Sequence, residues 1–278
     1  MECKSYIIRC LTNMHMGSGD ANFSVVDNEV QKDSVNGCPV MYASGIKGAL
    51  RDHFNTVGFD DIETVFGSDI KKSRKDKRDA SQQGNVRFLT ANLLFIPIRA
   101  GKGPVSYFMA TSKALLQEWN MIYSNIHEKD LEPGLGEKIK SLDEKAVYSD
   151  IAGHDLKIED NIYSKNVIKA LDEGLLSFIQ KMFPETVSRL LIVPEEDLSH
   201  ISLPVMARNQ LENGISKNLW YEEIVPHESV FSFHVVSNGT TAGDSALKNF
   251  DNIIGQYPLV QFGGNATIGY GLTKLSAY

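Results

Sequence analysis

The segment HMGSGDANFSVVDNEVQKD, residues 15–33, combines residue types that could perform acid–base chemistry. His15 and Asp27 flank a polar stretch that contains Gly17 and Gly19. An imidazole and a carboxylate can exchange protons or bind a metal ion, and glycines let the backbone approach a ligand closely. A surface loop with an incidental histidine would have the same pattern. The spacing alone therefore leaves a reactive site and a plain loop both open.

A basic helix start follows in ASGIKGALR, residues 43–51. Ser44 is expected to cap a helix over residues 44–58, with Ile46, Leu50 and Phe54 on its apolar face. Lys47 and Arg51 share another face. Free N–H groups at a helix start attract anions, and two cations nearby would add to that attraction. The segment predicts either a phosphate contact or a solvated basic face.

Two segments in the last third of the chain have the composition of exposed loops. The stretch PVMARNQLENGISKNLWYEEIVP predicts a protruding β-hairpin with its tip at residues 211–218. Glu222 and Glu223 are adjacent in its second strand, so only one of them can face a given site. The alternative for this segment is an exposed hairpin whose acidic side chains are simply solvated.

The second segment, QFGGNATIGYGLTKL, has glycines at 263, 264, 269 and 271. A turn explains one or two of them, whereas a loop lying against a phosphate backbone would explain all four. No helix follows, so the segment does not fit a dinucleotide-binding fold.

The elements that must position these residues alternate between strands and helices. Strands are predicted at residues 4–13 and 85–100 and a helix at 166–183, whereas the acidic residues 127–161 have little periodicity. The loose order of strand, helix and strand, which occurs twice, predicts an α+β sandwich of the ferredoxin-like kind.

The composition excludes several classes of protein. The chain has 278 residues and a net charge of -7, and it contains no apolar run long enough to span a membrane. Its three cysteines form no C-x-x-C pair and its histidines no zinc motif, so reduced thiols in a cytoplasmic protein are expected. The net negative charge argues against a protein that binds nucleic acid over its entire surface. Residues 69–79, with six Lys or Arg and three Asp, could be a local RNA contact or a solvated loop.

Taken together, these motifs resemble the backbone subunit of the type III-B (Cmr) CRISPR effector complex, a member of the RAMP superfamily. The resemblance rests on His15 with its glycines, VVDNEVQKD, PVMYASGIKGALR, ARNQLENG with LWYEEIVP, and GGNATIGYG, all in the family's order. The middle of the chain, residues 100–165, has no motif that matches. The family's fold implies a single domain over residues 1–278, with an RRM-like (ferredoxin-like) palm and a thumb β-hairpin at about 204–224. A basic loop at 68–84 and an irregular acidic insertion at 125–162 complete the expected organisation.

The resemblance also implies an antiviral ribonucleoprotein filament that binds a CRISPR guide RNA and cleaves complementary target RNA. The expected partners are both RNAs, copies of the chain itself and other Cmr subunits, and no membrane. Asp27 matches the catalytic aspartate and metal ligand, with magnesium or manganese as the divalent metal, and His15 and Glu222 match residues near the scissile phosphate. The implied RNA-binding positions are Gly17, Ser44, Gly45, Lys47, Gly48, Arg51, Met206, Arg208, Trp220, Gly263, Gly264 and Gly269.

Two other functions remain open within the same superfamily. The chain could be a purely structural RNA-binding subunit, or an endonuclease that processes precursor RNA alone. A small-molecule enzyme is the least favoured class, because no cofactor or nucleotide motif is present.

Overall fold

The protein is described here from a computed structural model, which covers residues 1–19, 25–68, 82–151 and 153–278. Its first half contains strands and helices in the following order: β1 Cys3–Cys10, β2 Val40–Met41, α1 Ala43–Thr56, α2 Ile62–Phe66, β3 Val86–Phe88, β4 Ala91–Lys102, β5 Tyr107–Ser112, α3 Lys113–His127 and α4 Leu135–Lys140. The second half continues with β6 Val147–Ser149, β7 Leu156–Ile158, β8 Asn161–Tyr163, β9 Ile168–Lys169, α5 Glu173–Met182, β10 Leu190–Val193, α6 Glu195–Ser199, β11 Val205–Glu212, β12 Ile215–Glu223, β13 Val230–Ser237, α7 Thr241–Gln256, β14 Leu259–Gln261 and β15 Leu272–Ala277.

One large, mostly antiparallel sheet organises the molecule. Within the described residues it has 13 strands, and its main path runs β14-β15-β1-β13-β4-β5-β10-β6-β9. β1 pairs antiparallel with both β13 and β15, whereas β10 runs parallel to β5. The predicted α+β class is therefore confirmed.

Apolar side chains cover both faces of this sheet. On one face α1 and α7 meet, and the rings of Phe54 and Phe250 stack with centroids 5.2 Å apart. On the other face Trp119 of α3 packs against Phe183, which contacts Phe95 of β4 at 4.9 Å. Burying an aromatic side chain of this size contributes roughly 1.5–3 kcal/mol. The two cores together hold the sheet edges and loops that carry the candidate site.

A separate two-stranded sheet projects from this body. Among the described strands, β11 and β12 pair with each other and with no strand of the large sheet. A tight turn in which Asn213 and Gly214 both have positive φ connects them. Two positive φ angles are the geometry of the hairpin turns that Asn-Gly favours. The structure thus has a hairpin where the sequence predicts one; β11 and β12 are called the hairpin below.

Three element predictions need correction. Helix α1 begins at Ala43 with Tyr42 as its N-cap, so Ser44 lies inside the helix and does not cap it. The helix predicted at 166–183 begins only at Glu173, because the carboxylate of Asp172 caps it at the N–H of Leu175. The acidic insertion predicted at 125–162 is more regular than expected, since α4, β6 and β7 lie within it and β8 begins there.

The described helices and thiols bear on two further expectations. None of these helices is both long and apolar enough to cross a membrane. Cys3, Cys10 and Cys38 are all free thiols.

Candidate active site

The chain between β1 and β2 crosses the root of the hairpin and brings distant residues together. Met14 and Val225 exchange two backbone hydrogen bonds, at 2.9 and 2.8 Å. Farther along, the N–H of Asn28 donates to Tyr221 at 3.1 Å, and the carbonyl of Asn28 accepts from Glu223 at 2.9 Å. His15 and Asp27 therefore both lie beside the last residues of β12.

His15 is buried and has a defined orientation. Its Nδ1 lies 2.7 Å from the carbonyl oxygen of Glu223. A carbonyl can only accept, so Nδ1 carries a hydrogen and Nε2 is the nitrogen left for chemistry. A Cβ on Gly17 would lie 3.3 Å from Nε2. The glycine at position 17 thus keeps the reactive side of the ring uncrowded.

Asp27 is exposed, yet its carboxylate is anchored. Its Oδ2 accepts a hydrogen bond from the backbone N–H of Tyr221 at 2.8 Å. Because Tyr221 belongs to β12, the hairpin itself orients the carboxylate. An exposed carboxylate with a fixed direction can take up a proton or bind a cation.

Glu222 is buried and bound on several sides. Its carboxylate accepts from Arg208 Nε at 2.9 Å, from Trp220 Nε1 at 3.3 Å and from Asn265 Nδ2 at 3.0 and 3.3 Å. Burial raises the pKa of Glu222, whereas these hydrogen bonds and the nearby charge of His15 lower it. The lowering effects together are larger, so the pKa lies below its usual value. Glu222 is therefore an ionised acceptor.

Glu223 faces the other side of the strand, as strand geometry predicts. Its Oε2 accepts from the N–H of Val30 at 3.1 Å, and its Oε1 pairs with Lys32 Nζ at 2.9 Å. The two glutamates thus bind different parts of the chain, and only Glu222 contacts the glycine-rich loop, which comprises residues 262–271.

The glycine-rich loop packs directly on the backbone of His15. The N–H of Gly264 donates to the carbonyl of His15 at 2.9 Å, and a Cβ on Gly263 would lie only 2.3 Å from that oxygen. Gly263 is thus explained by packing within the protein, whereas a Cβ on Gly264 would make only an ordinary contact, at 4.0 Å from the same oxygen. Gly269 has open space around it and remains a candidate for RNA contact.

The predicted basic face lies on α1, away from its buried residues. Ser44, Gly45 and Gly48 are exposed, and Lys47 is half-buried. No described side chain caps the helix start. Arg51 donates from Nη2 to the carbonyl of Gly67 at 2.9 Å, so part of its guanidinium supports the segment after α2.

The hairpin residues Met206, Arg208 and Trp220 share one of its faces. Register pairs Met206 with Glu222 and Arg208 with Trp220, and residues opposite each other point the same way. Met206 is 41% exposed, whereas Arg208 lies over the ring of Tyr270 at 4.5 Å. The structure therefore joins Arg208 and Trp220 to Glu222 and leaves Met206 accessible.

Asn265 and Tyr270 were not among the residues predicted from the sequence. Their role depends on contacts with Glu222 and Arg208, which lie more than 40 positions earlier in the chain. The only available signal was the polar Asn within a glycine-rich loop.

The basic cluster at 71–78 lies outside the described residues, as do residues 69–81 in general.

A resident metal site has limited support from the side chains. Within the described ranges, no three His, Cys, Asp or Glu side chains are arranged to hold an ion. Magnesium is often held by one or two carboxylates together with substrate phosphates and water. Asp27 fits that kind of site, in which the RNA supplies the remaining oxygens.

A sequence profile places the chain among known proteins. The profile of the RAMP superfamily matches residues 7–274, and the chain therefore belongs to this superfamily. It is 29% identical over 303 residues to the CRISPR system Cmr endoribonuclease Cmr4 of Pyrococcus furiosus. This alignment covers 98% of this chain and 95% of the relative.

Solved structures share the fold. A chain of the type III-B Cmr-beta complex bound to cognate target RNA has a TM-score of 0.80 at 22% identity, covering 100% of this chain and 97% of that chain. Oligomeric Cmr4 from Pyrococcus furiosus has a TM-score of 0.70 at 22% identity, covering 100% and 98%. The resemblance inferred from the motifs is confirmed.

Proposed function

We propose that the chain is the guide-binding backbone subunit of a type III-B Cmr complex and an endoribonuclease that cleaves complementary target RNA. The observation that carries this proposal is the meeting of His15, Asp27 and Glu222 at the hairpin root, beside the glycine-rich loop. The relative Cmr4 of Pyrococcus furiosus is itself named an endoribonuclease.

The proposed reaction is a transesterification within the target strand. A nucleotide flipped out of the stack allows its 2′-oxygen to attack the adjacent phosphorus in line with the departing 5′-oxygen. The exposed carboxylate of Asp27 takes the 2′-hydroxyl proton, as a general base. Nε2 of His15 faces the space left by Gly17. With a proton on Nε2, the ring would donate to the phosphate or to the leaving oxygen.

A divalent metal, magnesium or manganese, would join this site with the RNA. Asp27 would be its protein ligand, and phosphate oxygens and water would supply the rest. The metal would offset the negative charge that accumulates at the phosphate.

The guide strand is proposed to lie along α1 and the hairpin. The uncapped start of α1, with Ser44, Gly45 and Lys47, offers N–H donors and a cation to a phosphate. Met206 on the exposed hairpin face would contact bases. Copies of the chain would stack side by side along the guide.

The palm is proposed to be RRM-like. In the ferredoxin-like arrangement, four antiparallel strands lie in the order 4-1-3-2 with two helices on one face. The order β15-β1-β13-β4, with α1 following β1 and α7 following β13, supports this assignment.

The test is target-RNA cleavage by the complex reconstituted with guide RNA, with and without magnesium. Asp27→Asn keeps an oxygen for the N–H of Tyr221 but removes the base. We expect cleavage to fall by ~10²–10⁴-fold while guide and target binding are retained. Asp160→Asn, at an exposed turn, is the matched control.

Each alternative function predicts a distinct outcome, the first in this assay and the second with the isolated chain. Cleavage unchanged by Asp27→Asn would move the chemistry to another residue or subunit and favour a structural role for the chain. Cleavage of precursor RNA by the isolated chain would instead indicate a processing endonuclease.

A further inference from the structure

The carboxylate of Glu222 is poorly suited to accept a proton from RNA. Three side chains already donate to its two oxygens, and it is only 6% exposed. A general base needs a free lone pair and a pKa near the operating pH. Glu222 offers neither, because its hydrogen bonds favour the ionised form.

The donors to Glu222 come from separate parts of the fold. Arg208 lies on β11 and Trp220 on β12, whereas Asn265 belongs to the glycine-rich loop. Tyr270, at the other end of that loop, lies beneath the guanidinium of Arg208. The loop therefore binds both members of the Arg208–Glu222 ion pair and fixes the hairpin against the body.

The same strand orients Asp27. Tyr221 immediately precedes Glu222 in β12, and its N–H donates to Asp27 Oδ2 at 2.8 Å. A shift of Glu222 would displace this N–H and with it the direction of the carboxylate. Misplacement by about 1 Å can cost an enzyme about 10²-fold in rate.

We propose that Asn265 is a positioning residue for RNA cleavage, which holds Glu222 and thereby the β12 backbone that orients Asp27. This inference rests on the proposed function. It assigns Glu222 to positioning as well and leaves proton transfer to Asp27. The side chain of Asn265 suits the position because its φ is +63°, a left-handed conformation that Asn and Asp tolerate better than most residues.

The backbone conformation decides which substitutions are informative. Asn265→Asp keeps the shape and tolerates the left-handed φ, but it places a carboxylate against the carboxylate of Glu222. Asn265→Gly removes the amide without backbone strain. Asn252→Asp, on the exposed surface of α7, introduces the same chemical change elsewhere and is the matched control.

The experiment measures single-turnover cleavage in the reconstituted complex at several pH values, together with guide binding and thermal unfolding. We expect N265D to lower the cleavage rate about tenfold or more at unchanged guide affinity, and N265G to have a smaller effect. N252D should cleave like the wild type. The variant E222Q should keep the pH–rate profile of the wild type, because Glu222 transfers no proton.

The double variant N265D/E222Q tests the specific contact. It exchanges donor and acceptor, since the amide introduced at position 222 can donate to the carboxylate introduced at 265. We expect its rate to exceed that of N265D, a coupling that independent sites do not show. The inference would be overturned if N265D cleaved at the wild-type rate. It would also be overturned if E222Q lost one limb of the pH–rate profile and the double variant did not exceed the rate of N265D.

Failure of the proposed function has a different signature. In that case the wild-type complex fails to cleave, or cleaves equally well with Asp27→Asn. The positioning inference fails alone when cleavage requires Asp27 but is insensitive to N265D.

Discussion

At the scale of single residues, the imidazole of His15 has one nitrogen available for chemistry. Nδ1 is occupied by the carbonyl of Glu223, which also fixes the ring plane. Nε2 faces Gly17, where any side chain would enter the space next to it. We therefore propose a steric role for Gly17, which leaves the space beside His15 Nε2 open.

Gly17→Ala tests this assignment. A Cβ 3.3 Å from Nε2 must push the ring or the backbone aside, while the φ of Gly17 does not require glycine. We expect target cleavage to fall by about 10–10²-fold with little change in guide affinity, because displacement affects orientation more than binding. Single-turnover cleavage and guide titration measure the two effects.

Gly255→Ala is the control for this substitution. Gly255 lies in α7 with open space around it. Alanine should leave cleavage unchanged there and stabilise the helix by up to ~1 kcal/mol. Full activity of Gly17→Ala would show that the ring accommodates the Cβ, and it would contradict the steric role of Gly17.

The opposite orientation of Glu222 and Glu223 could be predicted from strand geometry alone. The partners of Glu222 could not, because Asn265 lies 43 positions away and approaches only through the folded loop. Local periodicity determines which way a strand residue points. Long-range packing determines what it meets.

At the scale of elements, the hairpin lacks a core of its own. Val205, Leu211, Ile215 and Leu219 are all more than 40% exposed, and within the described part of the chain β11 and β12 pair with no strand of the large sheet. An isolated two-stranded hairpin is marginally stable in water. Its attachment to the glycine-rich loop and to the chain at residues 14–28 is therefore what defines its direction.

The contact between the glycine-rich loop and His15 makes a quantitative prediction. Gly263→Ala combines a positive φ of 76° with a Cβ 2.3 Å from the oxygen of His15. We expect a loss of unfolding free energy greater than the roughly 1–2 kcal/mol of left-handed backbone strain alone. Denaturant unfolding of the chain measures this loss.

Gly239→Ala separates the two contributions. Gly239 also has a positive φ, 81°, but nothing lies within 4 Å of its Cβ position. The Gly239→Ala variant should therefore lose only the unfolding free energy that corresponds to left-handed backbone strain. Equal losses in both variants would mean that the loop moves away from His15 at no cost.

Element boundaries show where sequence periodicity succeeds. Ile46, Leu50 and Phe54 recur at helical spacing and are all buried, so α1 was predicted within two residues at each end. The helix predicted from residue 166 fails because Ile168 pairs with Val147 of β6. That pairing follows from the three-dimensional arrangement and has no local signal.

At the scale of the whole molecule, a network of hydrogen-bonded side chains links β1 and β13 to His127 of α3 and to Tyr278. Ser5 Oγ lies 2.7 Å from both His127 Nε2 and His234 Nδ1, and Ser232 links His234 to the hydroxyl of Tyr278. Burial lowers the pKa of His234 to about 4 and also lowers the pKa of His127. Both rings are thus neutral in the native protein at neutral pH.

These pKa values predict acid sensitivity. In the unfolded chain each histidine binds a proton near pH 6.5, whereas the folded chain resists protonation, so stability falls as the pH drops from about 6.5 toward 4. The loss amounts to at most about 1.4 kcal/mol per pH unit for each group. Denaturant unfolding as a function of pH measures it.

His234→Gln identifies the source of the effect. The variant should be less stable at pH 7.5, because it disturbs the bonds to Ser5 and Ser232, but its stability should change less between pH 6.5 and 4. A pH dependence as steep as in the wild type would assign the effect to other groups.

The bond between the N–H of Tyr221 and Asp27 has a spectroscopic consequence. The resonance of an amide hydrogen shifts with the charge of the oxygen that accepts it. The amide of Tyr221 is therefore a built-in reporter of the ionisation of Asp27. Nuclear magnetic resonance of the free chain can follow this one signal through a titration, without RNA and without turnover.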